Sequence, residues 1–331
     1  MDIHDIVNKA RTREGFTREE IITMLSFPEN SLETYIMMAE AKRFSMELCE
    51  NQAEAQGQFA LNLAPCPENC MFCSFAIPNG IFTESTMLTP EEAVFSAKKL
   101  EADNSTCIYM MATANIDMGE FLETAAEVRR NLKPETIMIG NIGDQDYDTA
   151  NKIKETGFTG LYHALRMGEG TDTDIDPEQR KRSIKTFQEA GLVVGTCVEP
   201  IGPEHSNEEI ADKILFAASV DPAFSGAARR ISIPGTDLAK KGMISEMRMA
   251  QCVAVTRLAT PSSVMGTCTH EPCTLGAAAG ANLFWAEVGA NPRDIKEKTE
   301  EGRGHDVEWC RTTFEEAGWS LRNGLSQFFN K

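Results

Sequence analysis

The chain has 331 residues, 42 % of them apolar, and a formal net charge of −18. That length suits one large α/β domain or two small ones, and the acidity argues against nucleic acid or an anionic membrane surface as partner. No run reaches the length of a membrane span, and the charged opening "MDIHDIVNKARTREGF" lacks the apolar centre of a secretory signal, so a cytoplasmic protein is expected.

Residues 17–55 read as helical. "TREEIITMLSFP" and "SLETYIMMAEAKRFSMELCEN" carry apolar residues at three- and four-residue steps, with Thr17 and Ser31 as N-caps. Residues 1–56 are therefore expected to form an N-terminal helical extension. From residue 57 strand-like and helical patterns alternate. The strand-like runs are 58–64, 106–114, 136–143, 160–166, 192–202, 228–235, 262–268 and 281–289. Helical patterns separate most of them, at Pro90–Leu100, Gly119–Leu132, Asp146–Thr156, Pro177–Ala190, Asn207–Ala218 and Ile244–Leu258. Eight strands in βα alternation predict an α/β chain with a (β/α)8 TIM-type barrel over 57–320 and a C-terminal tail over 321–331. A doubly wound open sheet is the alternative. In a barrel, chemistry sits where strands end and βα loops begin.

Ten cysteines are present, and a cytosolic chain of this size does not need disulfides. Cys66, Cys70 and Cys73 crowd into "NLAPCPENCMFCSFA", directly after the first barrel strand. Structural zinc usually takes four ligands in two spaced pairs. Here the spacing is C-x3-C-x2-C with no fourth cysteine or histidine nearby. Three thiolates on a 4Fe–4S cluster leave one iron open to a substrate or cofactor. A zinc loop or a chance grouping of thiols is the bland alternative.

This motif after a first strand resembles the radical SAM superfamily. The resemblance runs over nearly the whole chain and is closest to the biotin synthase-like group, which includes hydrogenase-cofactor maturases. "IPGTDLA" (233–239), "AAGANLFWAEVGANPRD" (278–294) and "VEWCRTTFEEAGW" (307–319) carry it further. It implies that Cys66, Cys70 and Cys73 hold a 4Fe–4S cluster whose open iron is chelated by S-adenosyl-L-methionine. It places Phe72 beside the adenine and the backbone at Met110 and Met111 near the methionine ammonium, although the usual Gly-Gly-Glu is absent. Arg166, in "YHALRMGEG" with Glu169, is similar to the maturase-like branch, where this arginine pairs with the methionine carboxylate. Its alternative is a surface ion pair at a strand end. Glu199 and Glu204 follow the fifth strand and either reach ribose hydroxyls or an ammonium or, as acids do, favour the first turn of the next helix.

By analogy with biotin synthase, Cys107, Cys197, Cys268 and Cys273 are candidates for an auxiliary Fe–S cluster inside the barrel. Buried packing is the alternative for each of them. Cys107 lies early on its strand, and His270, between Cys268 and Cys273, is a ligand, a proton donor or, as the preferred reading, a polar loop residue. Cys49, Cys252 and Cys310 fall in helical segments and read as packing residues.

Two enzymatic readings follow. In the first, the chain inserts sulfur into dethiobiotin, with the auxiliary cluster as donor. In the second, it is a radical enzyme of hydrogenase-cofactor biosynthesis, for the iron-guanylylpyridinol or diiron cofactor, although that branch has wider spacing in its first cysteine pair. A non-enzymatic Fe–S carrier is the third reading, and the barrel pattern argues against it. The resemblance implies a reducing partner such as ferredoxin or flavodoxin and leaves a homodimer open.

Overall fold

A computed structural model describes residues 1–329. Asn330 and Lys331, the end of the expected tail, lie outside the described residues. Three helices open the chain, α1 (Ile3–Thr12), α2 (Arg18–Ser26) and α3 (Leu32–Leu48). Asp2, Thr17 and Ser31 cap them by accepting backbone N–H groups of the first turn. The sequence pattern had not separated α1 from the charged opening. The helical reading also overran. Glu50 and Asn51 turn the chain at positive φ, and a strand begins at Gln52. α3 packs on α9 (Glu246–Ala259), and α2 packs on α8 (Asn207–Ser219).

The strands are β1 (Gln52–Ala60), the short β2 (Asn62–Leu63) and β3 (Thr86–Met87), β4 (Ile108–Met111), β5 (Met138–Asn141), β6 (Gly160–Tyr162), β7 (Val193–Gly195), β8 (Val198–Ile201), β9 (Phe224–Arg229), β10 (Gly266–Cys268), β11 (Leu283–Val288) and β12 (Ser320–Leu321). The remaining helices are α4 (Pro90–Ala102), α5 (Met118–Asn131), α6 (Tyr147–Glu155), α7 (Pro177–Glu189), α10 (Thr274–Ala278) and α11 (Val307–Glu316). β9 starts four residues before the expected 228, because "FSGAA" gives almost no large apolar side chain to read.

Strand order is β7-β6-β5-β4-β1-β11-β10-β9-β8, and β12 also pairs with β1. Those pairings are all parallel; only β2 and β3 pair antiparallel. The result is a curled, mostly parallel sheet flanked by helices. The two ends of the order, β7 and β8, are consecutive pieces of one stretch, 193–201. The expected single eight-stranded ladder is interrupted there at Thr196 and Cys197. Pro200 has no N–H to give, and the β8–β9 register shifts between Val198 and Ile201. Across the break Ala223 N–H donates to Val194 O at 2.8 Å and Thr196 N–H to Phe224 O at 3.1 Å.

Glu54, Gln56 and Gln58 alternate along β1 and are buried. The tail covers the starting end of the sheet. Gln327 N–H donates to Glu54 Oε1 at 2.8 Å, and Phe328 and Phe329 are buried. Among the described residues no helix is long and apolar enough to cross a membrane.

Gly160 sits where β6 meets β7. A Cβ there would lie 2.1 Å from Val193 O and 3.3 Å from the Phe329 ring. Gly160→Ala is therefore expected to cost about 1–3 kcal/mol through forced displacement of the ladder. A denaturant midpoint unchanged from wild type would contradict this packing.

Candidate active site

The carboxyl ends of the parallel strands converge on one cavity. Its lining takes Cys66, Cys70, Phe72 and Cys73 from the loop after β1 and β2, and Met111 and Ala112–Ala114 from the end of β4. Asn141, Arg166, Glu199, Arg229, His270, Trp285 and Arg293 come from the ends of the other strands and the loops beyond. This is the face on which parallel β/α folds carry their chemistry.

The cysteine loop is pinned on several sides. Cys66 N–H donates to Phe75 O at 2.7 Å, and Ile77 N–H returns to Cys66 O at 3.2 Å. Asn79 Nδ2 donates to Cys73 O at 2.7 Å and to Cys70 O at 3.2 Å. Met71 N–H reaches Asp172 O, Asp174 N–H reaches Glu68 O, and Ser74 N–H reaches Pro292 O, each at 2.9–3.0 Å. All three thiols thus line one wall, with the Cys66 and Cys73 amides already engaged. Burial pushes the Cys73 thiol up to about 11 and Cys66 and Cys70 upward as well, with the neighbouring Cys73 adding at Cys70. Three thiols on one cavity wall are a donor set to which a thiophilic metal centre could bind in place of their protons.

Arg166 stands beside them. Burial opposes its charge, but Glu169 and Glu199 raise its affinity for the proton. Its guanidinium lies 3.9 Å from Glu199 Oε1. Glu199 is the hub of the opposite wall. Tyr162 donates to its Oε1 in a short hydrogen bond, and His270 Nδ1 lies 2.7 Å from its Oε2. Burial works against both charges. His270 and Arg166 nevertheless hold Glu199 down to about 2, and Glu199 pulls His270 up to about 9.

Other residues singled out in the sequence sit elsewhere. Met110 is turned into the core, and the Met111 carbonyl accepts from Leu61 N–H at 2.7 Å. The backbone that borders the cavity beyond the strand is Ala112–Ala114. Glu169 does not line the cavity. Its Oε2 accepts from Arg166 N–H at 2.6 Å and shapes the turn. Glu204 neither caps α8, which Ser206 caps, nor lines the cavity; Arg230 clamps its carboxylate.

The four thiols expected to share an auxiliary cluster are not brought together. Cys197 and Cys268 group with His270, their ligand atoms all within 4.8 Å of one another. Cys107 is fully buried and its thiol pKa is raised by burial and then by Glu54. Cys273 caps α10, its Sγ accepting from Gly276 N–H at 3.3 Å.

Sequence reasoning undervalued one contributor and missed two. His270, preferred as a loop residue, lines the cavity. Arg180 comes from inside α7, where an arginine normally signals a solvated face. It is buried, with its guanidinium 2.7 Å from His163 Nε2, and burial holds that imidazole neutral at about 3. Trp285 lay in an apolar strand and carried no signal beyond hydrophobicity.

No family model matches the chain. Two sequence relatives are the biotin synthases of Mycobacterium leprae (strain Br4923), 25 % identical over 82 % of this chain and 81 % of the relative, and of Sulfurihydrogenibium sp. (strain YO3AOP1), 23 % identical over 80 % of this chain and 81 % of the relative. The solved structure of the FeFe-hydrogenase maturase HydG from Carboxydothermus hydrogenoformans superposes with a TM-score of 0.81 at 16 % identity, covering 99 % of this chain and 81 % of that one. Methylornithine synthase (PylB) gives 0.79 at 16 % identity, covering 96 % and 97 %. These likenesses to solved structures establish the fold. In sequence the chain is similar to biotin synthases over about four fifths of its length, and in fold to the maturase and methylornithine synthase structures.

The Glu199–His270 pair sets a pH window. Glu199, held below its ordinary 4.5, contributes stability above that value that is lost as pH falls towards 2. His270, raised above 6.5, contributes stability below that value that is lost as pH rises through 9. Glu199→Gln should therefore cost about 3–5 kcal/mol near pH 6, with the difference from wild type shrinking above pH 9. Denaturant titrations at the two pH values read this directly. A pH-independent difference would contradict the ion pair.

Proposed function

We propose that the chain is a radical SAM enzyme of hydrogenase-type cofactor biosynthesis, acting on a small polar substrate held between the cysteine loop and the Arg166–Glu199–His270 wall. The carrying observation is that only two of the four expected auxiliary thiols meet. Sulfur insertion needs a sulfide-bearing cluster, and Cys107 and Cys273 are engaged elsewhere. The curled sheet then works as a barrel around the substrate, with 57–320 as the catalytic unit and 1–56 as a helical support for α8 and α9. The working environment is the cytoplasm, with a ferredoxin or flavodoxin as reductant.

Cys66, Cys70 and Cys73 would hold a 4Fe–4S cluster. Together with S-adenosylmethionine, that cluster supplies a carbon-centred radical able to take hydrogen from an unactivated C–H bond. The chain's own residues bind, orient and shield. Arg166 offers a planar pair of donors to a carboxylate. Phe72 presents a ring to a flat base, and the Ala112–Ala114 backbone offers carbonyls to an ammonium. Tyr162 and Trp285 close the floor with aromatic surface and keep water out. Glu199, ionised and held by Tyr162 and His270, is placed to orient a substrate donor.

Dethiobiotin is the substrate of the second reading, supported by the biotin synthase relatives and by the Cys197–Cys268 pair. The two readings separate in one experiment. Single Cys66→Ala, Cys70→Ala and Cys73→Ala variants, reconstituted anaerobically, should each lose most cluster iron and all reductive formation of 5′-deoxyadenosine. Wild type given dethiobiotin should form 5′-deoxyadenosine without biotin. Biotin in the product would move sulfur insertion ahead, and iron retained in all three variants would remove the cysteine loop from the account.

A further inference from the structure

Cys197 and Cys268 stand two residues before Glu199 and His270 respectively, so each thiol lies on the same side of its extended segment as a residue that lines the cavity. Both cysteines are buried, at 2 % and 0 % exposure, and with the imidazole of His270 their donor atoms lie within 4.8 Å of one another. One cation with metal–sulfur bonds of about 2.3 Å spans such a spacing after small side-chain rotations. The imidazole is already aimed. Nδ1 lies 2.7 Å from Glu199 Oε2, so Nδ1–H donates there, and Nε2, 3.4 Å from the Tyr162 hydroxyl, is the nitrogen whose proton a metal ion would displace. Metal-binding histidines are characteristically oriented by a carboxylate in this way. Charge also balances. Two thiolates neutralise a divalent ion, and Arg166, 3.9 Å from Glu199, offsets the remaining carboxylate.

A second grouping, Asp172, Glu204 and His205, lacks these properties. Arg230 already occupies Glu204, and Gly202 N–H donates to His205 Nδ1 at 2.9 Å, which leaves the proton on Nε2.

We infer that Cys197, Cys268 and His270 form a metal site for one thiophilic divalent cation, zinc being the best match, with its fourth position open to the cavity. Two sulfurs and one nitrogen are a zinc-type donor set, and three protein ligands leave room for a substrate atom. Three donors are one short of what a two-iron sulfide cluster takes from its protein. The site does not depend on the cofactor-biosynthesis reading, because zinc here and iron at the cysteine loop are measured as different elements.

The test uses the full chain, anaerobically reconstituted with iron and sulfide, equilibrated with zinc and desalted. Metal analysis and zinc K-edge absorption are compared for wild type, Cys197→Ser, Cys268→Ser, Glu199→Gln and Cys273→Ser. Wild type should hold one zinc with two sulfurs at about 2.3 Å and a nitrogen at about 2.0–2.1 Å. Cys197→Ser and Cys268→Ser should lose that sulfur shell while keeping their iron, which shows that they have folded. Glu199→Gln should weaken zinc about 10–100-fold, and Cys273→Ser should leave it unchanged. No zinc in wild type, a shell of nitrogen and oxygen only, or zinc retained with two sulfurs in both serine variants would overturn the site. So would a sulfide-bridged iron cluster on these residues, or a Cys197–Cys268 disulfide that takes up no zinc after reduction.

Discussion

The parallel seating of β1 between β4 and β11 is the constraint from which the site follows. Gln58 and Phe59 pair with Tyr109 and Met110 on one side, and Glu54 through Phe59 pair with Leu283 through Val288 on the other. A strand buried between two neighbours cannot slip by one residue without moving its inner face to the outside. That register fixes Glu54, Gln56 and Gln58 inside the curl. It also fixes where the chain leaves β1, and so where Cys66, Cys70 and Cys73 stand. At the opposite end the same strand receives β12 and the tail, with Gln327 bonded to Glu54.

The interior is polar along one line and aromatic along another. Tyr109 donates to Gln56 Oε1 at 2.7 Å, and its ring meets Trp285 edge-on at 5.9 Å. Trp285 in turn meets His270 edge-on at 5.0 Å. These contacts hold the imidazole from the side while Glu199 holds it from the end. Buried polar groups are costly unless satisfied, so the Tyr162–Glu199–His270 network is both a structural commitment and a chemical resource. The protein carries a strong negative charge overall, yet this cavity gathers Arg166, Arg180, Arg229, Arg230 and Arg293. Four of the five are engaged by acids, backbone or His163. Arg166 has only a carboxylate at 3.9 Å, which makes it the guanidinium available to an incoming anion.

The place of the cysteine loop at the cavity was legible because it follows the first strand, and the βα alternation because strands and helices differ in hydrophobic period. β1 was misread at its start because a strand facing a polar interior alternates Glu, Ala and Gln, a pattern that does not look buried. The partnership of Cys197, Cys268 and His270 was only half legible. Each residue alternates correctly on its own segment, but their meeting depends on the break at Thr196 and on the curl that brings β8, β9 and β10 into sequence. Cys107 and Cys273 failed for the same reason. A thiol on a strand or in a turn carries no mark of whether it faces the cavity, the core or a helix N-terminus.

The central claim is that the cysteine loop carries a cluster with one iron open to S-adenosylmethionine. Electron paramagnetic resonance of the dithionite-reduced, reconstituted protein, recorded with and without S-adenosylmethionine, addresses it most directly. The account predicts a reduced-cluster signal that changes on addition, with a weaker or absent change in Arg166→Ala. A signal that S-adenosylmethionine leaves untouched in the wild-type protein would mean a fully ligated cluster and would contradict the account.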